Sequence, residues 1–129
     1  MTAQLRFSVD HWAALWASPH PELAGRVVTP DVVAYLPGDP EPVRGVTQYK
    51  RRIAHVLERV PDLRLEVAEH ARNGDVLFIR WIARGTGAHG PFERSGVDRV
   101  VLRDGLVKEV RIYSDCDPAL LQQGSRHTA

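Results

Sequence analysis

An α+β domain, with a bent, mostly antiparallel sheet wrapped around three helices, is the fold class predicted by this 129-residue chain. Three observations carry that expectation. Apolar residues recur at helical spacing in the first half, where helix, helix, strand and helix follow one another. Period-two alternation takes over after Pro61 and runs through four strands joined by tight turns. Within that alternation a carboxylate, Asp98, falls on an apolar face.

Ser8 is placed to cap a first helix, and Asp10 puts negative charge in its first turn. At ~100° per residue, Val9, Trp12 and Trp16 share one stripe, with Ala13 and Leu15 at its margins and His11 on the far side. Ser18-Pro19-His20-Pro21 breaks the chain, and a short helix from Glu22 to about Val28 ends at Thr29-Pro30-Asp31. Val32 to Leu36 reads as a strand stopped by Pro37-Gly38-Asp39-Pro40. Gly45 to Val60 carries the longest helical pattern, with Val46, Tyr49, Ile53, Val56, Leu57 and Val60 on one face and His55 opposite, toward solvent.

Leu63, Leu65 and Val67 alternate with Arg64 and Glu66 up to an Asn73-Gly74-Asp75 turn. From Asp75 to about Gly87, Leu77, Ile79, Trp81 and Ala83 face inward and Phe78, Arg80, Ile82 and Arg84 outward. The glycine-rich stretch Gly85 to Pro91 then predicts a mobile connection that exposes His89. Gly96 to Asp115 reads as two strands around Asp104-Gly105. Gly96, Asp98, Val100 and Leu102 share one face with Val110, Ile112 and Ser114, while Val97, Arg99, Val101, Arg103, Glu109, Arg111 and Tyr113 take the other. A short helical turn, Pro118 to Gln123, is expected in the tail.

With 43% hydrophobic residues, the chain suits a single domain over residues 1–129, its core from about residue 8 to 116. No apolar run reaches the ~18 residues of a membrane span and no signal-peptide core precedes the first helix, so a cytoplasmic protein without membrane contact is expected. Cys116 is the sole cysteine, which excludes an intrachain disulfide and a cysteine metal cluster; it reads as an inert thiol between Asp115 and Asp117. A net charge of +1 gives no argument for nucleic acid. Arginine outnumbers lysine 15 to 2, and Arg80, Arg84, Arg99, Arg103 and Arg111 all point outward. They read as stems covering the sheet with charges in water or paired to acids such as Glu109; an anion-binding surface is the competing reading. The outward Phe78, Ile82, Val97, Val101 and Tyr113 form a face too apolar to leave bare, which predicts a homodimer.

Glycine-rich phosphate loops, paired metal ligands and Ser/His/Asp spacings are missing, so neither a metal nor a cofactor is expected. The chemistry rests on Asp98. Inward-facing Trp12, Trp16, Leu36, Ile79, Trp81, Val110 and Ile112 are expected to line a cavity around it, fit for a small apolar or aromatic molecule. Burial raises a carboxyl pKa, so Asp98 could donate to a substrate carbonyl, or as a base remove a proton alpha to one. A structural aspartate bonded to a tyrosine, tryptophan or backbone donor is the alternative. Tyr35 is a candidate catalytic partner, although strand parity sets it opposite Leu36; even spacing from Leu63 could also turn Glu69 inward, and a bulge before the Asn73-Gly74 turn would reverse that.

The ordered set Thr29-Pro30-Asp31-Val32-Val33, Arg44-Gly45, Pro61-Asp62-Leu63, Gly74-Asp75-Val76, Gly96-Val97-Asp98 and Asp104 to Asp115 resembles SnoaL-like proteins of the nuclear transport factor two-like superfamily. The resemblance covers about residues 8 to 116. It implies a cone-shaped α+β barrel, a deep apolar pocket and a homodimer, in a group holding polyketide cyclases, ketosteroid isomerases, epoxide hydrolases, dehydratases and non-catalytic members. Asp98 matches the isomerase aspartic acid that helps bind the oxyanion. The isomerase's tyrosine donor falls on Trp12 and its proton-abstracting aspartate on Leu36; the cyclase acid/base aspartate falls on Ile112. The hydrolase Arg-x-Asp has no counterpart, because Arg80 is followed by Trp81 and Ile82. Two readings follow: a cyclase- or isomerase-type enzyme using Asp98, or a non-catalytic binder with the same pocket.

Overall fold

Helix α1 (Val9–Ala17) begins where the Ser8 hydroxyl accepts the His11 amide, and it buries Trp12 and Leu15. The structure, a computed structural model, describes residues 7–114. Asp115, Cys116, Asp117 and the expected turn at Pro118 to Gln123 lie outside the described residues.

After α1 come α2 (Pro21–Arg26), β1 (Val28–Tyr35), β2 (Val43–Arg44), α3 (Val46–Arg59), β3 (Arg64–Asn73), β4 (Val76–Gly87), β5 (Gly90–Arg103) and β6 (Leu106–Ser114). The strands make one six-stranded sheet in the order β2-β1-β6-β5-β4-β3, curled around the helices but not closed, since β2 and β3 remain its edges. Among the described residues only the β1–β6 pair is parallel. Inward residues of the sheet, among them Val32, Ile79, Trp81 and Val100, join Trp12 and Phe7 in the main core. A smaller cluster of Leu15, Ala24 and Ile53 joins the three helices.

Two differences from expectation have local causes. The strand expected at Val32 starts four residues earlier, at Val28, because a register shift between Val28 and Val33 lets Thr29-Pro30-Asp31 pass within β1. A bulge is where a sheet tolerates a proline. The stretch Gly85 to Pro91 is not a loose connection: Gly85 pairs with Phe92 and Gly87 with Gly90, leaving a two-residue turn at Ala88-His89. Gly85 is needed for close approach, since a Cβ there would stand 2.6 Å from the Val60 side chain. Asp62 fastens the same hairpin by accepting the Thr86 amide at 2.9 Å and its hydroxyl at 2.8 Å.

The direction of Glu69, left open by the sequence, is set by a register shift between Val67 and Glu69 that turns it outward, where it meets Arg80 at 2.7 Å. Arg84 pairs with Glu66 and Glu93, Arg99 with Glu109 and Arg103 with Asp31, while Arg111 lies over the Tyr35 ring. Ion pairs this exposed contribute roughly 0–1 kcal/mol each, so they organise charge more than they hold the fold. The Asp104-Gly105 turn matches expectation, with φ of 54° and 83° at the two central residues. Positive φ at both is what lets a two-residue hairpin follow the twist of its strands.

Candidate functional site

Asp98 stands on the inner face of β5 and is only 6% exposed. Ile79 of β4 and Ile112 of β6 are its register partners, so its carboxyl emerges between two apolar side chains. Two indoles hold it. Trp12 Nε1 donates to Oδ2 at 3.1 Å, and Trp81 Nε1 donates to Oδ1 at 2.8 Å. Trp81 follows Ile79 by two residues on the same face and reaches Asp98 on the diagonal. Its ring occupies the space above Gly96, where a Cβ would come within 2.4 Å of it.

Burial pushes the Asp98 carboxyl up from 3.8 to about 6. Lost hydration is the dominant cause, and the N–H bonds from Trp81 and then Trp12 favour the anion and limit the rise. A carboxylate oxygen has about two acceptor positions, so each oxygen keeps one for a ligand.

Asp98 opens onto a cavity of roughly 120 Å³. The sheet contributes Ala34, Trp81, Ala83 and Ile112, continued by Leu36 and Pro37. Trp16 of α1 and the residues Leu63 and Leu65 form a second side. Helix α3 supplies the facing wall through Tyr49, Arg52, Ile53, Val56 and Leu57. Walls this apolar with a few convergent polar groups are the usual makeup of a small-molecule site.

Of the residues expected around Asp98, the cavity brings together Trp16, Leu36, Trp81 and Ile112. Ile79, at 0% exposure, and Val110 pack into the core instead of the cavity wall. Trp12 is equally enclosed, yet it touches Asp98 through its N–H, at the position that the isomerase resemblance gives to a tyrosine donor. Tyr35 does not join this cavity. Its side chain turns to the other sheet face, where the Arg111 guanidinium lies 3.8 Å from its ring centre. Parity along β1 is the reason, since Leu36 takes the inward direction and an adjacent residue cannot share it.

Tyr49 and Arg52 were not expected in the site. Tyr49 was visible only as part of an apolar stripe; its hydroxyl is pushed upward by burial first and by the Asp98 charge second, so it stays protonated. Arg52 follows Tyr49 by three residues, a spacing that places two helix side chains side by side. That spacing was the available signal. Its guanidinium is tied to Asp39 by Nη1 at 2.5 Å and Nη2 at 3.3 Å. Among the described residues no cluster of three or more His, Cys, Asp or Glu is arranged to hold a metal ion, and no helix is long and apolar enough to cross a membrane.

Fold and cavity together define an α+β domain whose curled, unclosed sheet carries a buried acid beside an apolar cavity. The chain belongs to the SnoaL-like domain family, whose profile matches residues 9–110. Among solved structures it is similar to a hypothetical protein with a ketosteroid isomerase-like fold from Catenulispora acidiphila, crystallised with trimethylamine (TM-score 0.77, 17% identity, 88% of this chain and 87% of that one). It is also similar to a candidate SnoaL-like polyketide cyclase from Jannaschia sp. CCS1 (TM-score 0.75, 17% identity, 95% and 100% of the two chains). IdmH, a candidate polyketide cyclase from Streptomyces antibioticus, matches with TM-score 0.72 and 23% identity over 88% and 91% of the two chains. At these identities the likeness is one of fold. No curated protein matches the chain.

Proposed function

We propose that this chain is a cofactor-independent enzyme of the cyclase or isomerase type, acting as a homodimer on a small apolar or aromatic carbonyl compound, with Asp98 as its acid/base group. The observation that carries the reading is the buried Asp98 carboxyl, open to an apolar cavity and poised near pH 6. At neutral pH it is mostly ionised and acts as a base. It takes a proton from the carbon alpha to the carbonyl, and the C–H electron pair moves into an enolate. Tyr49, protonated throughout, donates a hydrogen bond to the oxygen where charge develops. The proton on Asp98 then returns to a different carbon in an isomerisation, or to the new alkoxide when the enolate carbon closes a ring onto a second carbonyl. The candidate cyclases among the structural neighbours agree with this class of chemistry.

One observation favours the alternative, a non-catalytic binder. Both Asp98 oxygens already accept an indole N–H, which is how a structural aspartate is satisfied. Proton exchange separates the two. Incubated in deuterium oxide with acetonaphthone, the wild-type protein should exchange the methyl protons alpha to the carbonyl faster than buffer does, and Asp98→Asn should not. Binding without exchange above the buffer rate assigns the chain to the binders.

A further inference from the structure

Of Arg80, Arg84, Arg99, Arg103 and Arg111 on the outer sheet face, only Arg111 has no carboxylate partner among the described residues. In the register it stands between Tyr35 and Arg99, so one neighbour is a ring and the other a like charge. Like charges directly opposite each other are unfavourable in a sheet. Arg99 has Glu109, and the Arg111 guanidinium turns to the Tyr35 ring, 3.8 Å from its centre. A ring face attracts a guanidinium without neutralising it, and the N–H donors at the edge of a stacked guanidinium stay available to an anion.

The stacked pair borders a cleft of roughly 270 Å³. Tyr35, Arg111 and Tyr113 line it from the sheet, and Pro40, Glu41 and Pro42 line it from the loop that follows β1. Glu41 is exposed and forms no ion pair among the described residues, whereas Asp39, the other acid of the cleft, is held by Arg52. A cation and an anion that share one cleft without meeting suit an isologous contact. A two-fold axis lying in the interface and passing between them sets each against the other's counterpart, so one contact satisfies both.

We infer that the occupant of this cleft is a second copy of the chain, with Arg111 of each protomer paired to Glu41 of the other across a two-fold axis. This deepens the homodimer of the proposed function and rests on it. A small free anion fits less well, because it would answer Arg111 while adding charge beside Glu41; a second copy brings a cation for Glu41 together with the acid for Arg111. The register joins the cleft to the exposed aromatic surface: Tyr35, Arg111, Arg99 and Phe78 form one row across β1, β6, β5 and β4. That row is three strand spacings long, about 14 Å, so Phe78 and the cleft fit within one subunit contact of ordinary size.

Charge reversal read by sedimentation tests the pairing. Arg111→Glu sets acid against acid at both ends of the contact and Glu41→Arg sets arginine against arginine, so each variant alone should dimerise about thirtyfold or more weakly than the wild type. Mixed in equal amounts, the two should regain the wild-type association, because each contact in the heterodimer again joins an acid to an arginine. Glu41→Gln, a near-isosteric change at an exposed loop position, should weaken the dimer about tenfold with an unchanged circular dichroism spectrum, and this arm stands even if Arg111→Glu does not fold. If the wild type is a dimer and Glu41→Gln associates as tightly, or the mixture associates no better than either reversed variant alone, the inference is overturned and the homodimer stands through another contact. A wild-type monomer overturns the two together.

Discussion

The indole N–H of Trp81 meets Asp98 Oδ1 at 2.8 Å across the β4–β5 pair, and it does so over a glycine. Trp81 lies opposite Gly96 in the register, and its ring fills the volume that any larger residue at that position would claim. Three residues thus form one device: a glycine that admits an indole, an indole that steadies a buried acid, and an acid that faces the cavity.

Replacing Gly96 tests the first link. In Gly96→Ala the new methyl would lie 2.4 Å from the Trp81 ring and 2.6 Å from the Tyr113 carbonyl oxygen, and the backbone contact cannot swing away. Overpacking of this kind costs about 1–3 kcal/mol. Urea unfolding of the variant should show that loss, with a changed Trp81 environment in near-ultraviolet circular dichroism. A variant as stable as the wild type would mean that the strand pair yields more easily than its geometry implies.

The second link is tested by Trp81→Phe, which keeps most of the ring and deletes the N–H. The bond favours the ionised form of Asp98, so its loss should move the carboxyl further above 6. A hydrogen bond to a charged group contributes roughly 1.5–3 kcal/mol, which corresponds to a rise of about one to two pH units. Carbon NMR of the Asp98 carboxyl measures it directly. An unchanged titration would show that the indole bond does not persist in solution.

The same carboxyl links stability to pH. Its folded pKa, about 6, lies above the ordinary 3.8, so the unfolded chain releases this proton first as pH rises. The Asp98 contribution therefore costs the fold nothing below pH 3.8, grows through the window from 3.8 to 6, and levels off above it. Asp98→Asn lacks the titration, although its amide NH₂ must face one of two indole donors at every pH. The absolute sign of the substitution is therefore mixed. Its pH dependence is not: moving from pH ~4.5 to ~7.5 should favour the variant over the wild type by roughly 2 kcal/mol in urea unfolding. A constant difference would place the Asp98 pKa near its ordinary value.

Most of the architecture was legible because each element carries its own period. The Trp12 and Trp16 stripe, the alternation around Asp98 and the Asp104-Gly105 turn are local signals, and the folded chain keeps them. Features that depend on a partner were not legible. β2 is a two-residue pairing of Val43 and Arg44 with β1, too short to show a pattern. Gly85 looked like slack because the Val60 side chain that needs its space is distant in sequence. The direction of Glu69 stayed open because alternation alone cannot place the register shift beside it. The site was half legible for a similar reason: parity on β5 singled out Asp98, but helical spacing cannot say which part of the α3 stripe meets the cavity. Tyr49 read as core, and Arg52 did not stand out among 15 arginines.

The outer face of the sheet gives a prediction about assembly. Phe78 and Tyr113 are 41% and 53% exposed, beside the partly buried Ile82, Val97 and Val101. With Arg80 and Arg99 matched to carboxylates and Arg111 stacked on Tyr35, the charge on this face is largely engaged where a second copy would cover it. Sedimentation should show a dimer at micromolar concentration, and Phe78→Glu should weaken it by about thirtyfold or more, the loss expected at a central aromatic contact. A wild-type monomer under those conditions removes the dimer from the proposed function.

Tyr49 offers the sharpest test of turnover. Burial and the nearby Asp98 charge keep its hydroxyl protonated, so its contribution is a neutral hydrogen bond that strengthens as an enolate oxygen gains charge. Removal of a single donor of this kind lowers kcat by about 10²–10³ while leaving substrate affinity nearly unchanged. Tyr49→Phe preserves the ring between α3 and the sheet, which should keep the fold intact. Once a substrate is in hand, kcat should fall with KM held. A rise in KM at constant kcat would instead make Tyr49 a ground-state contact, leaving Asp98 to act with no donor from α3 at the developing charge.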